Sequence, residues 1–223
     1  MQERYQVYSP AQESILATNR VIKNTYILLS ATVLFSAFTA VLSMRMQLNL
    51  SFLVVLGGYF GLLFLTQKTA NSSLGILSTF AFTGFLGLTL GPILNSYIQN
   101  FSNGSELIAA SLGSTGVVFF ALSGYALSTK KDFSYLAGFL FVGLSVMVLA
   151  SIASIFFAVP GLYLAISAVS VMLMSGYILF ETSAMINGGQ TNYILATVSL
   201  YVSLFNMFLN LLRIFGSISG RRD

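Results

Sequence analysis

The chain alternates long apolar runs with short polar breaks. The runs cover residues 25–44, 50–66, 75–98, 107–127, 133–157, 161–186 and 193–218. Roughly 20 helical residues cross a hydrocarbon core about 30 Å thick, so each run predicts one transmembrane helix. The breaks, at 45–49, 67–74, 99–106, 128–132, 159–160 and 187–192, are short, which forces neighbouring helices to run antiparallel. The expected architecture is an all-α integral membrane protein: a seven-helix transmembrane domain over 25–218, a polar cytoplasmic tail at 1–24 and a short C-terminal tail at 219–223. No internal repeat stands out, so the inverted-repeat sign of many transporters is missing. Small residues at packing intervals, Gly57 with Gly61 and Gly87 with Gly91, predict close helix approach. The Gly91-Pro92 step either kinks the third helix or unwinds it and exposes carbonyls to a cavity.

Polar positions inside the runs are few and ordered. Ser199, Ser203, Asn206, Asn210 and Arg213 fall at offsets 0, 4, 7, 11 and 14, which confines them to one stripe of the seventh helix. Polar side chains facing lipid are costly, so the stripe predicts a last helix well inside the bundle. It serves either interhelical hydrogen bonding or the lining of a gated path. The sixth run has its own stripe of Ser167, Ser170, Tyr177 and Glu181, and Glu181 is the one acid lodged inside an apolar run. At a rise of about 1.5 Å per residue, Glu181 lies about 9 Å from the 187–192 turn, level with Ser199 or Ser203, whereas Arg213 lies about 30 Å from it. Arg213 is therefore not its counter-ion. Three states are open to Glu181: protonation through desolvation, pairing with Lys68, Lys23 or Lys130, and hydration by a vestibule. A group titrating near physiological pH would be a switch, and a permanently neutral acid bonded to Ser or Tyr would be structural. The candidate pH-sensing polar seam is thus Glu181, Ser203, Ser199, Asn206, Asn210, Tyr177 and Arg213.

Composition narrows the chemistry. The 223 residues are 56% hydrophobic and 7% charged, with a mean hydropathy of +0.86, so seven spans leave no room for a soluble domain. Cysteine and histidine are absent, which removes disulfides, thiolate chemistry and nearly every zinc site, so no metal or cofactor is expected. Asp132 and Asp223, the two aspartates, lie in polar flanks, where a membrane aspartyl protease would not place them. The net charge of +4 comes from basic residues at segment ends, a topology signal rather than a nucleic-acid surface. With the N-terminus in the cytoplasm the inner segments hold Arg4, Arg20, Lys23, Lys68, Lys130 and Lys131, and the outer loops hold Arg45. That balance favours N-in, against Arg213, Arg221 and Arg222 at the outer C-terminal end. Residues 1–24 lack the apolar stretch of a secretory signal and are expected to stay attached.

The run Phe180-Glu181-Thr182-Ser183, then Gly188-Gly189-Gln190-Thr191-Asn192-Tyr193-Ile194, then Ala196-Thr197-Val198-Ser199-Leu200-Tyr201-Val202-Ser203-Leu204 resembles the C-terminal signature of the Bax inhibitor-1 family. Upstream, Asn24-Thr25-Tyr26, Lys68-Thr69-Ala70-Asn71, Ala81-Phe82-Thr83-Gly84-Phe85-Leu86-Gly87 and Gly91-Pro92-Ile93-Leu94-Asn95 extend the resemblance from about residue 20 to the C-terminus. It implies a seven-helix fold whose seventh helix is enclosed by the other six, a place in the bacterial inner membrane, and one of two activities. The first is non-enzymatic regulation of the membrane-bound FtsH quality-control protease, modulating or inhibiting proteolysis as a slowly degraded client with the polar tail as its handle. The second is a pH-sensitive calcium or cation leak latched by two acids, one on the sixth helix and one on the seventh. Glu181 aligns with the first acidic position and Ser203 with the second. Two carboxylates can share a proton, and a carboxylate with a hydroxyl cannot. The implied partners are the lipid bilayer, the protease assembly, and calcium ions or protons.

Overall fold

The computed structural model describes residues 10–156 and 161–220. The apolar runs form α1 (Pro10–Met46), α2 (Phe52–Thr69), α3 (Leu74–Asn100), α4 (Gly104–Thr129), α5 (Leu136–Phe156), α6 (Leu162–Ile186) and α7 (Tyr193–Ser219). All seven are long and apolar enough to cross a membrane. Because α1 begins at Pro10, much of the segment expected as a polar tail continues the first helix; residues 1–9 lie outside the described residues. Helix α5 starts later than expected. Lys130 turns the chain with a φ of +51°, and the Phe133 N–H is then held by Ser183 Oγ on α6 at 2.9 Å.

Helices α3 and α7 are the most deeply buried, and α2 and α5 the least. Helix α7 packs on α6, α4, α1 and, more lightly, α3, and none of its side chains from 193 to 212 is exposed. Helix α2 leans on α3 and α5 on α6, and both present large apolar side chains outward, among them Leu53, Phe60, Phe141 and Leu149. Outward apolar side chains are what a lipid-facing layer requires.

The tightest pairing joins α1 to α3. Gly84, Gly87 and Gly91 on α3 meet Phe35, Ser36, Thr39 and Ser43 on α1, and a Cβ on Gly87 or Gly91 would collide with Thr39 and Ser36, or with Ser43. The close approach lets short hydroxyls reach across. Thr39 Oγ1 donates to the Gly84 carbonyl at 2.9 Å, and Asn95 Nδ2 donates to the Met44 carbonyl at 3.0 Å. Pro92 lies inside α3 without breaking it. A helical proline has no N–H for the carbonyl four residues earlier, here Leu88, and Ser43 Oγ donates to that carbonyl at 2.7 Å. The alternative of unwound backbone at Gly91-Pro92 is thus corrected: α1 supplies the donor the proline lacks. Gly57 and Gly61 differ from Gly87 and Gly91, since nothing lies within 4 Å of a Cβ built at either; they sit on the sparsely buried α2, and the packing expected of them is absent.

The connectors at the Asn192 end are tied together. Asn192 caps α7 by accepting from Ile194 and Leu195 N–H groups, and its Nδ2 donates to Ala70 O at 3.0 Å and Asn71 Oδ1 at 2.8 Å. Ser183 Oγ donates to Lys131 O at 3.0 Å, fixing the 130–135 loop against α6. At the opposite end Asn103 Nδ2 donates to Ser219 Oγ at 2.9 Å.

Two glycine substitutions separate these interfaces. Gly87→Leu should lower stability by about 2–3 kcal/mol, the cost of overpacking a closed seam, whereas Gly57→Leu should leave it within about 1 kcal/mol of wild type. Thermal unfolding in detergent checks both; equal losses would contradict the packing described.

Candidate functional site

Helix α7 is polar on two faces, and the faces bond differently. On the stripe singled out from the sequence, Ser203 Oγ donates to the Ser199 carbonyl at 3.0 Å, Asn206 Nδ2 to Val202 O at 2.8 Å and Asn210 Nδ2 to Asn206 O at 2.7 Å. These are bonds back to the same helix, the partner a short polar side chain always has within reach. The interhelical hydrogen bonding expected of this stripe is not what these three donors make. From the stripe itself Ser199 reaches across to the Glu181 carboxyl on α6, and further cross-helix bonds come from residues the stripe did not include. The Tyr201 hydroxyl donates to Thr83 O on α3 at 3.1 Å and lies 2.5 Å from Ser36 Oγ on α1, so one buried side chain joins three helices. Thr197 Oγ1 reaches the Thr25 carbonyl on α1 at 3.3 Å as well as its own Tyr193 carbonyl at 2.7 Å. Tyr201 follows Ser199 by two positions and so points to roughly the opposite side of the helix. A second polar face, at Thr197 and Tyr201, is the signal in the sequence that marks α7 as central.

Glu181 sits near the C-terminal end of α6, buried with 7% of its surface exposed. The Ser199 and Gln190 side chains lie beside its carboxyl, and Oε1 is enclosed without a hydrogen-bond partner. Local geometry brings Gln190 there. Gly188 takes a φ of +77°, a conformation suited to glycine, and the Gln190 N–H folds back to the Ala184 carbonyl at 3.0 Å. Ser199 thus stands at the depth the residue count gave. Ser203, a turn further along, bonds to its own helix. Lys68, one of the cations considered as a partner, places its ammonium 4.7 Å from the centre of the Phe64 ring. Tyr177, one turn before Glu181, is half-buried. On α1 the enclosed Tyr26 hydroxyl also has no partner. Among the described residues no three acids come together in a way that could hold a metal ion. Chemically, the site offers one enclosed carboxyl flanked by a hydroxyl and an amide.

The remaining candidates lie apart from Glu181. Ser170 Oγ donates to the Ile166 carbonyl of its own helix at 2.7 Å and lies beside Met147 Sδ on α5, away from the Glu181 carboxyl. Arg213 is exposed at the far end of α7, with Nη1 3.4 Å from Asn210 Oδ1. It borders a cavity of about 440 Å³ shared with Ser167 and Tyr97. The structure therefore joins Glu181 with Ser199, strings Ser203, Asn206 and Asn210 along one seam, and sets Arg213 in a different environment.

Comparison with known proteins covers nearly the whole chain. The sequence profile of the family described as inhibitor of apoptosis-promoting Bax1 matches residues 18–220. The chain is 53% identical over 207 residues, 92% of this chain and 94% of the other, to the modulator of FtsH protease YccA of Escherichia coli strain K12. The inner membrane protein YccA of Escherichia coli O6:H1 matches to the same extent. An uncharacterized protein of Pseudomonas aeruginosa is 48% identical over 220 residues, 98% of both chains.

The two faces of α7 should respond unequally to mutation. Tyr201→Phe removes the buried bonds to Ser36 and the Thr83 carbonyl and should cost about 1–3 kcal/mol, while Ser203→Ala, which removes a bond within one helix, should cost about 0.6 kcal/mol or less. Unfolding of the two variants side by side measures the difference, and a larger loss for Ser203→Ala would reverse the assignment.

Proposed function

This chain belongs to the Bax inhibitor-1 family, and from that premise we propose that it is a multi-pass inner-membrane modulator of an FtsH-type membrane protease. The observation that carries the reading is the 53% identity, over almost the full length of both chains, to a relative named as a modulator of that protease. The name of a second relative as an inner membrane protein supports the location. The chain acts as a regulator rather than a catalyst, engaging the protease as a slowly degraded client. Two features suit that role. Resistance to extraction follows from the α1–α3 glycine seam and the Tyr201 junction, both of which must break before a helix can be pulled free. A handle is offered by the N-terminal segment, whose cytoplasmic location is the orientation favoured by the basic residues Arg4, Arg20, Lys23, Lys68, Lys130 and Lys131 in the alternate segments counted as inner.

A second reading, a pH-sensitive calcium or cation leak, draws on the enclosed Glu181 carboxyl with its unpartnered Oε1. Ser203 in place of a second acid leaves that reading with one titratable group where the two-acid latch has two.

The N-terminal handle has a direct test. Among the described side chains, Val21 and Ile22 are the first on α1 packed on the core, so deletion of residues 2–19 should leave a folded bundle that no longer co-purifies with the protease or slows degradation of its other membrane substrates. Unchanged association and inhibition by the truncated chain would remove the handle from the account. For the leak, calcium-loaded liposomes carrying the protein should release the ion in a pH-dependent way that Glu181→Gln alters; release equal to that of empty liposomes at every pH would count against it.

A further inference from the structure

The Arg213 end of the bundle holds a cavity that neither the Glu181 site nor the protease reading uses. We propose that it binds a phosphate group, either that of an anionic phospholipid headgroup or that of a free phosphate anion. Its volume of about 440 Å³ is within the roughly 300–1,000 Å³ of small-ligand sites. The last turns of α7, the first turns of α6 and the end of α3 border it, and among the described residues its lining includes Arg213 and no acidic residue.

Three independent groups converge on an anion. The first is Arg213 itself. Among the described residues its one bond to a side chain is the long contact to Asn210 Oδ1 at 3.4 Å, which leaves most of the guanidinium donors available to a ligand, in the planar fork that suits phosphate oxygens. The second is Ser167. It is 1% exposed, lines the cavity, and its Oγ has no hydrogen-bond partner. Its neighbours on α6 do otherwise: Ser170 and Ser175 donate to the carbonyls of Ile166 and Val171 at 2.7 and 2.8 Å. A buried hydroxyl that forgoes the carbonyl of its own helix is a donor left for something else. The third is the start of α6, where Tyr163 and Leu164 line the same cavity. The capping position is Gly161, with a φ of +76° and no side chain of its own to bond the first-turn N–H groups, so the positive end of the α6 dipole faces the cavity, across from the carbonyl ends of α3 and α7.

The walls are aromatic where a headgroup would need an apolar flank. Tyr97 and Phe101 stack with ring centres 5.1 Å apart. Gly216 lets α7 close against them, since a Cβ there would come 2.8 Å from the Tyr97 ring. Arg213 lies about 9 Å from the end of α7 by helical rise, near the depth at which phospholipid phosphates meet a membrane protein. A basic pocket between helices at that depth is a general form of headgroup site.

The test uses the full chain in phosphatidylcholine nanodiscs, with phosphatidylglycerol as the lipid arm and inorganic phosphate as the free arm. Native mass spectrometry counts retained lipid, and protection against thermal unfolding reads phosphate. Retention of one phosphatidylglycerol per chain, with affinity reduced about tenfold by Arg213→Gln and to a smaller extent by Ser167→Ala, is the result expected of a headgroup site. Protection by phosphate alone, with the same dependence on the two variants, assigns the free anion. Arg213→Lys, which keeps the charge and loses the fork, should bind at an intermediate level. Unfolding without either anion establishes that each variant is folded, and Ser167→Ala decides the matter if Arg213→Gln is not. No binding of either probe by the wild type, or equal binding by wild type and the folded variants, would overturn the proposal.

Discussion

Inside hydrocarbon a polar group has no water to turn to, so one left without a partner in the protein is costly. The bundle is arranged around that constraint. Helix α7 carries polar side chains on two opposite faces, and a helix polar on two faces has no orientation that suits a lipid-facing rim. It is therefore held by α6, α4, α1 and α3, while α2 and α5, apolar all round, form the outer layer. The Tyr201 hydroxyl between Ser36 and Thr83 shows the same rule at atomic scale, since one buried phenol settles three helices. Ser43 shows it again by filling the donor vacancy that Pro92 leaves on the Leu88 carbonyl.

The helix count and the central place of α7 were legible because both depend on periodicity alone. Apolar length gives a span, and polar spacing gives a face. What periodicity does not carry is the identity of the bonded atoms. Ser203, Asn206 and Asn210 were placed correctly on one stripe, yet whether they bond across helices or back to their own depends on the neighbours, which spacing does not report. The glycines make the same point. Gly57 with Gly61 and Gly87 with Gly91 have the same spacing, and what distinguishes them is a facing row of Ser36, Thr39 and Ser43 on a helix about 45 residues away in sequence. Boundaries were harder. The start of α5 depends on a bond from the Phe133 N–H to Ser183, a residue of another helix.

The closed seam is consistent with the functional reading that the family relationship carries. Glu181 is near one end, flanked by Ser199 and Gln190, and the polar residues beyond it occupy their own helix. Arg213, once grouped with them, lies in a separate cavity at the other end. A single acid in a closed seam is a modest basis for a permanent ion path. A bundle tied at both ends and zipped between α1 and α3 is suited to resisting extraction, which is what a slowly degraded client of a membrane protease needs.

From 193 to 212 no side chain of α7 is exposed, and on this account no water path runs along that stretch. The natural chain has no cysteine, so single cysteines can be placed on α7 and α2 without background and treated in membranes with water-soluble and lipid-soluble thiol reagents. Cysteines at 199, 203, 206 and 210 should resist both reagents, while cysteines at 53 and 60 on α2 should react with the lipid-soluble one. Reaction of the α7 positions with the water-soluble reagent would reveal an aqueous path through the seam and contradict the account.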